Sequence, residues 1–245
     1  MRKKIKTLVY PFDDECEAFL EFHSWMEYID IIAVDTPCGW GNMNFIEEGN
    51  IQQIGSNIKG IELLWIVEST NKITLNEFEK RLIFLTKDIK NILVSRKLSA
   101  EEFDKLEEIA KINSVKIIEE KDIIGTLSEQ SFEESGEGYA LKDIEIPIVM
   151  IAGAGENCNK FELELLIANK LKEIGYKVSI VTSRSHVNCL GVHSFPTFMF
   201  QSLKDENEKI IAYNNYIKYL SEIDKPDIFV LGVPGGILPI TRRQP

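Results

Sequence analysis

The sequence predicts an α/β protein built on parallel sheets, and three patterns carry that expectation. Short apolar runs rich in Val and Ile recur along the chain, helical periodicities lie between them, and glycine or proline turns close several of the runs. Strands that alternate with helices pair in parallel, because each helix carries the chain back across the sheet. A length of 245 residues allows one large or two small domains.

Residues 6–10 read as the first strand, and 14–26 as a helix with Cys16, Phe19, Leu20, His23 and Met26 near helical spacing. Residues 29–34 and 62–67 are apolar runs of strand length, the former ending at Asp35. A helix is predicted over 75–86, with Phe78, Leu82 and Leu85 on one side, and a short strand over 91–94. Ser99 caps a helix over 100–113, whose first turn holds Glu101 and Glu102, where negative charge suits the helix dipole. A strand over 115–118 completes a Rossmann-like parallel-sheet domain, residues 1–118. Asp35 stands where such domains place an acid on a ribose. The turn after the first strand, residues 10–14, has no glycine, so a dinucleotide has no close approach and a scaffold without its own cofactor is expected. Cys38, between Pro37 and Gly39, has no base evident beside it.

Residues 119–146 are polar and acidic and read as a linker. A second α/β domain, 147–245, then opens with a fully apolar and therefore buried strand over 147–152. A helix over 159–174 ends at Gly175, a strand covers 177–182, and a helix over 207–223 is stopped by Pro226. A strand over 227–233 leads into a turn at Pro234, Gly235 and Gly236. Three strands make a thin sheet, so this domain is expected to be truncated, or to complete itself against the first domain or a partner.

The net charge of −11 argues against a nucleic-acid surface, which needs clustered Lys and Arg. No apolar run approaches the roughly 20 residues that span a bilayer. The basic start, Met1 to Lys4, is not followed by the apolar core of a signal peptide, and four scattered cysteines suit reduced thiols, so a cytoplasmic protein is expected.

The strongest site candidate is the turn Gly153, Ala154, Gly155, Glu156, Asn157, Cys158, Asn159, Lys160, between an apolar strand and a helix. Free N–H groups at a helix start, helped by a lysine, are suited to phosphate. Against the phosphate-loop pattern G-x-x-x-x-G-K-[ST], Ala154 and Asn159 replace the glycines and Phe161 replaces the hydroxyl residue. Cys158 stands at the third glycine of G-x-G-x-x-G. A tight connection without chemistry is the plain alternative. Pro234, Gly235 and Gly236 close another strand, and ligands of open α/β sheets sit beyond carboxyl strand ends, so both turns are expected to face one crevice. In the loop after 177–182, His186, Cys189 and His193 offer three zinc ligands at a non-standard spacing with no evident fourth, so no metal is expected. Arg184, His186 and His193 are instead candidates for contacts to an anionic substrate, and a packed loop without chemistry is the plain alternative.

Residues 8–13 with Gly39, Trp40 and Gly41, residues 155–161, and residues 191–196 followed by 232–237 together resemble the clostridial peptide maturation system proteins. That family is encoded beside radical-SAM enzymes and small bacteriocin-like precursor peptides. The resemblance implies an accessory role in maturing a ribosomally made peptide, with the precursor and a radical-SAM maturation enzyme as partners. The order of domain, glycine turn, lysine, helix and Gly-Gly strand end is also similar to P-loop proteins of the dethiobiotin-synthetase-like group. That likeness implies a P-loop-like second domain with ATP or GTP as ligand, although Asn159 and Phe161 depart from the Mg²⁺-ATP pattern. A non-enzymatic module holding the precursor or the partner enzyme is the alternative.

Overall fold

A computed structural model describes residues 3–13, 16–22, 25–37, 60–69, 72–124, 140–155, 158–200 and 205–236, and the backbone of 52–53. Glu156, Asn157 and Cys38 to Gly41 lie outside the described residues. The chain forms two compact units, Met1–Gly125 with Cys189–Gly191, and Thr126–Asn188 with Val192–Pro245.

The first unit holds β1 (Ile5–Tyr10), α1 (Glu17–Glu21), β2 (Ile29–Val34), β3 (Gln52–Gln53), β4 (Leu63–Ile66), α2 (Leu75–Leu85), β5 (Asn91–Val94), α3 (Ala100–Ile112), β6 (Lys116–Ile118) and α4 (Glu120–Ile124). Its strands are all parallel, in the order β3-β2-β1-β4-β5-β6, which is the Rossmann order. Strands covered on both faces carry continuous apolar runs. Accordingly Leu8, Val9, Leu63, Leu64, Trp65 and Ile66 have no exposed surface. Phe78, Leu82 and Leu85 of α2, with Leu106 and Ile109 of α3, close one core with Leu8, Leu64, Ile66 and Ile92.

Both helices start at complete capping boxes, Thr74 with Glu77 and Ser99 with Glu102. Ser99→Ala is expected to cost about 1 kcal/mol, seen as a lower denaturant midpoint at unchanged slope. The helix expected over 14–26 is only Glu17–Glu21 among the described residues. Its N-cap is Cys16, which makes no capping bond; the thiol, a weak donor, instead faces the Pro11 carbonyl at 3.8 Å. The stretch read as a linker opens with α4, whose Ile123 is buried.

The second unit holds β7 (Ile148–Gly153), α5 (Lys160–Glu173), β8 (Val178–Val181), α6 (Glu206–Asp224) and β9 (Ile228–Gly236), with parallel strands in the order β7-β9-β8. Helix α5 carries the chain from β7 past β9 to β8, and α6 carries it back to β9. Right-handed crossovers running in opposite directions put their helices on opposite faces of a sheet. Val181, Phe229 and Leu231 meet Phe198, Tyr216, Ile217 and Leu220 on the α6 side, with Ile144 and Ile146 packed against them. Phe161, Leu165 and Ala168 are the buried apolar residues of α5, which packs on all three strands.

β7 is an edge strand, with Met150 65% exposed, so its apolar run does not mark burial on both faces. Pro234, Gly235 and Gly236 belong to β9 rather than to a turn beyond it. Between the pairs Ile151↔Gly232 and Gly153↔Gly236, β9 advances further than β7, so Pro234 falls in an irregular stretch where its missing N–H is tolerated.

Candidate functional site

The carboxyl ends of β7 and β9 are neighbours, and the glycines there are required by close approach. A Cβ on Gly153 would stand 2.2 Å from Cys158 Sγ and 2.8 Å from the Gly155 carbonyl oxygen. One on Gly236 would stand 2.8 Å from Gly155 Cα. Gly155 and Cys158 are thus packed against the two strand ends, while a Cβ on Gly155 would meet nothing among the described residues. Cys158 Sγ lies 3.2 Å from the Gly155 carbonyl, a bond within the turn.

Lys160 opens α5 and donates from Nζ to the Gly235 carbonyl, so the lysine and the Gly-Gly strand end meet. Asn159, at the second-glycine position, is left-handed at φ 52° and ψ 33°, a conformation that Asn tolerates better than most residues. Its side chain makes no capping bond, which leaves the first N–H groups of α5 without a side-chain acceptor from that position. Phe161 is buried, and the Arg184 guanidinium lies over its ring at 4.8 Å. The hydroxyl position of a phosphate loop is therefore filled by a core aromatic.

One turn beyond Lys160 stands Glu164, which sequence reading missed. It has no exposed surface, its Oε2 accepts from the Ser183 N–H at 2.9 Å, and its Oε1 has no partner among the described residues. Gly232 makes room for it: a Cβ there would stand 2.1 Å from Oε1. Burial pushes the Glu164 carboxyl up to about 7, against the opposing effects of the Ser183 hydrogen bonds and the Arg184 and Lys160 charges. The available signal was its spacing from Lys160 and Phe161 on one helix face, together with a glycine inside an apolar strand.

His193 joins a different cluster. Its Nε2 lies 2.7 Å from Asp224 Oδ2, which also accepts from Ser179 Oγ at 2.6 Å. Burial raises the Asp224 carboxyl, but the bonds from His193 and Ser179 hold it below its ordinary value. His186 is left-handed at φ 58°. Cys189 is fully buried, and burial pushes its thiol well up. Among the described residues no group of His, Cys, Asp or Glu is arranged to hold a metal ion, so His186, Cys189 and His193 form no such set.

In the first unit, Arg81 takes both carboxylate oxygens of Asp35, one of them from Nε at 2.6 Å. The acid that sequence position likens to a ribose holder is occupied by an arginine of α2.

No family model and no curated protein sequence matches the chain. The crystal structure of a DUF1611 family protein from Anabaena variabilis is similar, with a TM-score of 0.60 over 98% of this chain and 69% of that one. Their identity is 10%, so the likeness is one of fold. No helix among the described residues is long and apolar enough to cross a membrane.

Proposed function

We propose that the turn over 153–160 binds the phosphate group of a nucleotide such as ATP or GTP, and that the chain is an accessory protein in maturing a ribosomally synthesised peptide. The observation that carries the ligand reading is the meeting of Lys160 with the Gly235 carbonyl, at the start of a helix that Asn159 leaves without a side-chain cap. A phosphate oxygen can replace that carbonyl as the lysine's acceptor, and the helix N-terminus favours the same charge. The maturation role, with a precursor peptide and a radical-SAM enzyme as partners, rests on the sequence resemblance alone.

Phe161 supplies no hydroxyl for Mg²⁺, so the reading is one of binding rather than hydrolysis. The amine already held by Gly235 favours a second reading, a non-enzymatic module that uses this end of the sheet only as structure. Calorimetric titration with ATP and GTP, with and without Mg²⁺, separates them. One site of similar affinity in both conditions is expected, weakened about tenfold or more by Lys160→Ala, the loss of one charge-assisted hydrogen bond. Heat from neither nucleotide, or an unchanged affinity in Lys160→Ala, excludes the nucleotide reading. ATP turnover abolished by Lys160→Ala excludes the non-enzymatic one.

A further inference from the structure

A cavity of about 500 Å³ opens beyond the carboxyl ends of β4 and β5 in the first unit. Glu68, Ser69 and Lys72 reach it from the segment after β4, Arg96 and Lys97 from the segment after β5, and Glu102 from the first turn of α3. Parallel α/β sheets bind ligands in crevices at this end of their strands, and small-molecule sites commonly measure about 300–1,000 Å³.

The charges here run against the rest of the chain. The net charge is −11, yet the described residues that line the cavity set three cations against two carboxylates. Glu102 is already committed, because Oε2 accepts from the Ser99 N–H at 2.8 Å and Oε1 accepts from Arg96. Arg96 is thereby fixed, with its guanidinium over the Phe78 ring at 5.1 Å, and its Nε is buried without a hydrogen-bond partner among the described residues. Lys72 and Lys97 are exposed, and neither has an ion-pair partner among the described residues. A preset guanidinium and two ammonium groups lining one cavity are suited to an oxyanion. Glu68 adds an acceptor at the same cavity, which suits a hydroxyl donor on the same molecule.

We infer that this cavity binds a small hydroxylated oxyanion, a carboxylate or a phosphate monoester, through Lys72, Arg96 and Lys97. The full chain carrying Lys160→Ala, which silences the proposed nucleotide turn, is titrated calorimetrically with malate and with glycerol 3-phosphate. One-site binding of at least one probe is expected, and the stronger probe identifies the class of anion. Adding Lys72→Ala with Lys97→Ala is expected to weaken that binding about tenfold or more at an unchanged thermal midpoint. Raising the salt concentration is expected to weaken it as well. Absence of binding by both probes at millimolar concentration overturns the inference, as does an affinity unmoved by the lysine substitutions. Because Lys160 is absent throughout, either failure is independent of the nucleotide reading.

Discussion

Arg81→Ala is expected to cost about 3 kcal/mol, measured as a lower urea midpoint at neutral pH. Asp35 directly follows β2 with only 1% of its surface exposed, and Arg81 occupies both of its oxygens. Burial holds its carboxyl above the ordinary 3.8 even though the hydrogen bonds and charge of Arg81 pull it down. Without the arginine a buried charge has no counter-ion, which costs far more than the pair itself contributes. A carboxyl whose folded pKa exceeds its unfolded value gives stability that is present at low pH and lost as pH rises. The variant's deficit is therefore expected to shrink on acidification, as Asp35 takes up a proton. Arg81→Met separates charge from packing, since the Arg81 guanidinium also lies over the Phe84 ring at 4.7 Å and Met keeps an apolar stem. A midpoint equal to the parent's at neutral pH rejects the pair as a strut. The consequence is that Asp35, held by the arginine of α2, serves the sheet.

The elements with local signals were legible from residues alone. Phe78, Leu82 and Leu85 mark the buried stripe of α2, and Ser99 with Glu102 marks the start of α3, because periodicity and capping are written within a few residues. Strand order is not written that way. The apolar run of β7 is indistinguishable from a central strand until its position beside β9 is known, and only then does the exposure of Met150 follow. Pro234 reads as a stop, yet the uneven advance of β9 past β7 lets the strand continue through it. At the site, Lys160 and Gly235 could be paired in advance, because the turn that leads to Lys160 follows the carboxyl end of β7 and Gly235 lies at the carboxyl end of β9. Glu164 could not, since a glutamate on a helix ordinarily faces water, and its burial depends on a glycine far along the chain at 232. Lys72, Arg96 and Lys97 form no motif, and only the adjacency of β4 and β5 brings them to one cavity.

Glu164→Gln is expected to remove most of the second unit's pH dependence of stability near neutrality. In the native chain the carboxyl stands at about 7 against an ordinary 4.5. The folded value is the higher one, so the stability it confers is full below 4.5 and is lost as pH rises through about 7. That displacement corresponds to about 3 kcal/mol over the whole window, as an order of magnitude. Glutamine keeps an acceptor for the Ser183 N–H and carries no charge to bury, so the variant is expected to be the more stable form above about pH 7. Urea titrations between about pH 5 and about pH 8 compare the two slopes. Parallel slopes for parent and variant would show that Glu164 reaches solvent when ionised. The same carboxyl gives the lysine turn a second readout. Lys160 is among the charges that hold Glu164 down, and a phosphate drawn to Lys160 offsets that charge. Nucleotide binding near neutral pH is therefore expected to take up a fraction of a proton, which calorimetry in buffers of different ionisation heat measures directly. Uptake that persists unchanged in Glu164→Gln assigns the proton to another group and separates the buried acid from the ligand.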